Sequence, residues 1–187
     1  MELDSRAQNN LKTSPVDLFP TERFNNAMPA HTAVLVTGMS GVGKTTALDE
    51  LARRGYTTVD TDDAHWIDIV DGEPLWREPL INDLLSRPPQ TPIFIQGTVA
   101  NQGAFYHRFD AIVLLSAPRD LIFDRLARRT NNPFGKTPQQ RQRIADDIAE
   151  VEPLLRQAAT HEIQTTRTPA EVVNLLIDIA VGQATAH

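Results

Sequence analysis

Gly38-Met39-Ser40-Gly41-Val42-Gly43-Lys44-Thr45 constrains the fold of this chain more than any other segment. The pattern G-x-x-x-x-G-K-[ST] specifies four positions, and at average usage a chain of 187 residues shows it by accident on the order of once in a few hundred cases. Its flanks are those the pattern needs. Ala33-Val34-Leu35-Val36 is a short apolar run of β-branched type that ends in the loop, which predicts a buried parallel strand. From Thr45 to Arg54, Ala47, Leu48, Leu51 and Ala52 recur at helical spacing, and Gly55 follows as a stop. The glycines at 38, 41 and 43 admit backbone conformations that other residues resist, so consecutive N–H groups converge at a helix N-terminus and form an anion site.

As a phosphate loop, the segment gives each position a task. The backbone of Gly38, Ser40, Gly41, Val42 and Gly43 cradles the phosphates of ATP, and Lys44 bridges the β- and γ-oxygens. Thr45 offers its hydroxyl to Mg²⁺, with Thr46 beside it in the first helical turn. The plainer reading, a glycine turn followed by a surface lysine, explains neither the strand before the loop nor the helix after it.

Asp60-Thr61-Asp62 follows the apolar end of a second expected strand, Thr57 to Asp60, and so stands at the C-terminal edge of the sheet, where ligands bind in open α/β folds. Phosphoryl transfer needs one carboxylate to orient an acceptor hydroxyl and another near the metal. The pair can supply both. The competing reading makes Asp62 or Asp63 the cap of a helix starting near Ala64.

Further strands are expected at Pro92 to Gln96, Ala111 to Leu115 and Glu162 to Thr165. Pro74, Pro118, Pro138 and Pro169 each stand where a first helical turn tolerates a missing N–H, so helices are expected over Glu73-Pro74 to Ser86 and Pro169 to Val181. Pro153, inside a helical stretch from Gln139 to Ala159, predicts a break near Val151. Alternating strands and helices imply a mostly parallel sheet with helices on both faces. Residues 1–31 show no sustained period and read as a flexible N-terminal extension, leaving 32–187 as one domain.

Composition closes off other classes. The formal net charge of -6 is the wrong sign for a surface that neutralises a nucleic-acid backbone. Arg125, Arg128, Arg129, Arg141 and Arg143 still cluster locally, which suits a small polyanion. No apolar run approaches bilayer length, and there is no cysteine for a disulfide framework or thiolate metal site. A cytoplasmic monomer or homodimer with no nucleic-acid or membrane partner is the expectation. His65, Trp66 and Trp76 either line an acceptor pocket or belong to the core.

Taken together, the Gly38 to Thr45 loop, Asp60-x-Asp62, the Arg125-x-x-x-Arg129 helix end running into Thr130 to Lys136, and a closing helix after Glu162 to Thr165 resemble the shikimate kinase and gluconate kinase branch of the nucleoside-monophosphate-kinase-like P-loop proteins. The resemblance implies a five-stranded parallel sheet in a three-layer α/β/α arrangement, with a short mobile lid over ATP. It matches Asp62 to the residue contacting the acceptor hydroxyl, Asp60 to the residue near the metal, and Arg125 and Arg129 to lid arginines touching adenine or phosphate. Arg77 matches a substrate-anchoring arginine, and Gly97 the substrate-facing turn after the third strand. Gln96-Gly97-Thr98-Val99 departs from the triple-glycine turn of a shikimate kinase, so the acceptor is expected to differ from shikimate. The function these residues support is transfer of the ATP γ-phosphoryl group to a small hydroxyl compound, with Lys44, Asp62 and Arg129 catalytic. A nucleoside or nucleotide kinase, and a regulator that binds ATP without transferring phosphate, are the alternatives.

Overall fold

The computed structural model describes residues 33–86, 91–128, 130 and 135–182. The expected extension at 1–31, Arg129 and most of the Thr130 to Lys136 loop lie outside them. In chain order the elements are β1 (Ala33–Thr37), α1 (Lys44–Arg53), β2 (Thr57–Asp60), β3 (Ile67–Val70), β4 (Glu73–Trp76), α2 (Glu78–Ser86), β5 (Ile93–Gln96), a 3-10 helix (Ala100–Arg108), β6 (Ala111–Ser116), α3 (Arg119–Arg128), α4 (Pro138–Glu150), α5 (Glu152–Ala158), β7 (His161–Gln164) and α6 (Pro169–Ala180).

Five strands form one sheet in the order β2-β5-β1-β6-β7, and each neighbouring pair is parallel. β5 and β6 are buried along their whole length, which is why they read as apolar runs up to a polar last residue, Gln96 and Ser116, rather than as alternating ones. Alternate residues of each strand feed opposite faces. Val34, Val36, Phe94 and Val113 pack with Leu48 and Leu51 of α1 and with Val173 and Leu176 of α6. On the other face Leu35 and Ile112 pack with Trp76, Ile81 and Phe105. Apolar layers on both faces of a parallel sheet give the three-layer arrangement that the alternation of elements implied.

Between β2 and α2 the structure corrects the sequence reading. Glu73-Pro74 does not open a helix; it lies in β4, paired antiparallel with β3 so that Pro74 faces Ile69. The connecting Asp71-Gly72 has positive φ at both positions, 52° and 85°, and this dipeptide is the hairpin signal that outweighs Pro74. In a ribbon of only two strands a proline finds an edge where no N–H is required. α2 starts after Trp76, with Pro79 in its first turn. No helix begins near Ala64: Asp63 Oδ1 instead accepts the His65 N–H at 2.8 Å in a turn.

Elsewhere proline acts as expected. Pro138 and Pro169 occupy first turns of α4 and α6, behind Thr137 and Thr168, each in a reciprocal capping box with Gln140 and Glu171. The break falls at Val151, and Pro153 sits in the first turn of α5. Among the described residues no helix is long and apolar enough to cross a membrane.

Candidate active site

β1 delivers the chain to Gly38 at the C-terminal edge of the sheet, where φ is 142° and a Cβ would lie 2.3 Å from the Leu115 carbonyl oxygen of β6. Only glycine passes that point. α1 then begins at Lys44 behind Gly43, which supplies no side-chain cap, so the first-turn N–H groups and the positive end of the helix dipole face outward. They open on a cavity of about 440 Å³ walled by Ser40 to Ala47 on one side and by Arg125, Thr165, Arg167 and Val172 on the other. The Lys44 ammonium donates to the Gly38 carbonyl at 2.7 Å, inside the curve of the loop. Arg125 donates to the Val42 carbonyl at 3.1 Å and to Thr165 Oγ1 at 2.9 Å, which ties the loop to the end of β7 and sets a guanidinium in the cavity wall.

A second cavity, about 410 Å³, adjoins the first across Ser40, Lys44 and Asp62, residues that line both. Asp62 therefore stands where the two spaces meet. It keeps solvent access, but the cavity walls crowd its carboxyl, and that desolvation raises its pKa above the ordinary aspartate value. Lys44 pulls it back down and Asp60 adds to the rise. Asp60, at the end of β2, accepts the Asp62 N–H at 3.0 Å and so fixes the turn that presents Asp62, while lining neither cavity itself.

Other expected site residues stand apart from the cavities. Arg77 is half exposed and paired with Asp68 at 2.8 Å, outside both cavities. Gly97 is enclosed by core: a Cβ there would lie 2.4 Å from Thr61 Oγ1 and 2.6 Å from Trp76 Cζ2. Trp76 is buried, donates from Nε1 to Thr61 Oγ1 at 2.8 Å and meets Phe105 edge-to-face at 5.8 Å. Trp66 packs on the same cluster, and His65 is exposed against it. Trp66 and Trp76 thus build the core beneath the site rather than its wall, and His65 belongs to neither.

The second cavity also has walls that sequence reasoning did not assign. Thr98 is one; its hydroxyl donates to the Gly38 carbonyl at 2.9 Å, coupling the turn after β5 to the phosphate loop. Arg143, Asp147, Val151 and Leu155 form another. Their spacing of four places them along one ridge running from α4 into α5, a signal available in the sequence but hidden by the proline break. Glu73 and Pro74 of the hairpin line it as well.

Mg²⁺ is ordinarily held by one or two protein oxygens together with substrate phosphates and waters. Thr45, exposed at the start of α1 and lining the first cavity, is a donor of that kind, while Asp60 lies at the end of β2 outside the cavity wall.

The family described as AAA domain matches residues 34–146. A shikimate kinase from Psychrobacter arcticus is 30% identical over 161 residues, spanning 78% of this chain and 87% of the relative. One from Nostoc punctiforme is 29% identical over 161 residues, spanning 76% and 87%. Among solved structures, the shikimate kinase from Acinetobacter baumannii in complex with shikimate superposes with a TM-score of 0.61 at 21% identity, covering 86% of this chain and 98% of that one; at that identity the likeness is one of fold. With the phosphate loop, the five-stranded parallel sheet and these relatives in hand, the chain belongs to the AAA-domain P-loop proteins, in a branch with the shikimate kinases, and is an ATP-dependent small-molecule kinase.

Proposed function

We propose that the first cavity holds ATP, the second holds a hydroxyl-bearing acceptor, and Asp62 serves the transfer between them. The observation that carries this reading is the presence of Asp62 and Lys44 in the walls of both cavities. The acceptor oxygen attacks the γ-phosphorus, forming an ester bond as the bond to the β,γ-bridging oxygen breaks, and ADP departs with that oxygen. The hydroxyl proton passes to the Asp62 carboxylate and then to solvent. Lys44 and the outward N–H groups of α1 meet the charge on the phosphates, and Arg125 borders the same space. Arg129, outside the described residues, is assigned the lid arginine's part from its place after α3. Thr45 and Asp60 would hold Mg²⁺, which would supply charge neutralisation for the phosphates when bound. Thr98, Arg143 and Asp147 would contact the acceptor. Gly97 supports that cavity from behind by making room for Trp76, and Arg77 remains a candidate anchor only through movement of the β3–β4 hairpin.

A pH profile tests the part given to Asp62. The ionised carboxylate is the active form and its pKa is raised, so kcat/KM is expected to fall as pH drops through a value above the ordinary aspartate range. A kcat/KM that stays level as pH falls through that range, with the protein still folded, contradicts the assignment.

A further inference from the structure

Among the described residues that line the second cavity are three carboxylates, Asp62, Glu73 and Asp147, and two cations, Lys44 and Arg143. Lys44 donates to the Gly38 carbonyl inside the phosphate loop, and in the proposed function it serves the nucleotide. Among these residues that leaves Arg143, which is exposed, as the cation for an acceptor. The γ-phosphate, delivered to the junction of the two cavities, adds more negative charge. An acidic acceptor would therefore enter a space where like charges outnumber its partner, and like-charge contacts reject a ligand.

Two further observations give this space the same sign. Asp147 stands in the last turn of α4, which runs to Glu150 without a basic residue. The partial negative charge of a helix C-terminus opposes a carboxylate there and favours a cation. Asp147 is also half-buried, and among the described residues neither it nor Glu73 forms a side-chain hydrogen bond or ion pair. A carboxylate set against the helix dipole, partly withdrawn from water and without a partner, is unfavourable until a cation arrives. The second observation concerns Arg77, which the resemblance offers as the acceptor's anchor. It stands outside the cavity, and its charge is met by Asp68 at 2.8 Å.

We infer that the acceptor is a hydroxyl compound that also carries an ammonium group, an amino alcohol or amino sugar, whose cation is held by Asp147 and Glu73. The inference rests on the second cavity being the acceptor site and names the chemical class that the site takes. A protonated amine has no lone pair with which to attack phosphorus, so the hydroxyl stays the nucleophile. Its N–H groups make charge-assisted hydrogen bonds to carboxylate oxygens. Pro74, Val151 and Leu155 supply apolar wall for the carbon skeleton, and a volume of about 410 Å³ suits a small metabolite.

The test is γ-phosphoryl transfer from labelled ATP to matched sets of acceptors that differ at one group: a sugar, its amino sugar and its uronic acid, and a linear diol, amino alcohol and hydroxy acid. In the wild type, kcat/KM for the aminated member of a set is expected to exceed that of its neutral partner about tenfold or more, the scale of a hydrogen bond between charged groups, with the acid last. Asp147→Asn is expected to cut that preference about tenfold, and Asp147→Lys, a favourable residue at a helix C-terminus, to turn it toward the acid. Glu73→Gln moves the ratio the same way by less, because Glu73 is exposed. The ratio is the readout that a structural role would not move, since damage to the fold lowers all members together. The inference is overturned if the wild type prefers neutral or acidic members, or if the preference for the amine survives unchanged in these variants; transfer to a neutral or acidic compound would leave the proposed function standing. Transfer to no member of any set, from protein that binds ATP, defeats the proposed function and this inference with it.

Discussion

Asp62→Asn is expected to lower acceptor-dependent ADP formation by about 10²–10⁴-fold, the range lost when a positioned general base is removed. Nucleotide affinity is expected to hold or improve, because the substitution takes a negative charge away from the space beside Lys44 where phosphates bind. Asparagine matches aspartate in shape and Asp62 is not a core residue, so folding is not at issue. The split between lost turnover and kept binding separates a catalytic carboxylate from one that merely shapes the turn after β2. A coupled ADP assay and a fluorescent-nucleotide titration on the same preparation read both quantities. Full turnover in Asp62→Asn would remove the residue from the mechanism.

Lys44→Ala is expected to fail differently, losing about 10²–10³-fold in turnover, the scale of removing one preorganised donor to developing charge, and losing nucleotide affinity as well. The lysine meets phosphate oxygens before and during transfer, so binding and rate fall together. The loop itself is expected to survive, since the Gly38 carbonyl that accepts from Lys44 also accepts from Thr98 at 2.9 Å, and Gly38 remains pinned beside Leu115. Circular dichroism and the melting temperature check that point. A variant that turns over normally, or one that loses rate with unchanged affinity, contradicts the assignment.

What the sequence disclosed followed from local signals strong enough to survive tertiary context. The β1, phosphate loop and α1 unit was legible because glycine placement, an apolar strand and a helical period all agree over Ala33 to Arg54. The buried strands β5 and β6 were legible as apolar runs. The β3–β4 hairpin was hidden because Pro74 followed by Leu75 and Trp76 imitates a helix start, while the deciding Asp71-Gly72 turn lies just upstream. At the site, Asp62 could be placed from its position after a strand. Arg143 and Asp147 could not, because their relation to the cavity depends on how α4 and α5 pack across a proline break. Gly97 shows the opposite limit: a glycine in a substrate-facing turn by resemblance proves to be a glycine that Trp76 and Thr61 leave no room to replace.

The fate of the γ-phosphate is the most direct test of phosphoryl transfer across the Asp62 boundary. ATP labelled in that position is incubated with wild-type protein, Mg²⁺ and a panel of small hydroxyl compounds, and the products are separated by mass. The expected result is a labelled phosphate ester of one acceptor class, formed in step with ADP and absent with Asp62→Asn. Label recovered only as unreacted ATP or as inorganic phosphate across the whole panel, from protein that binds ATP, would contradict the account.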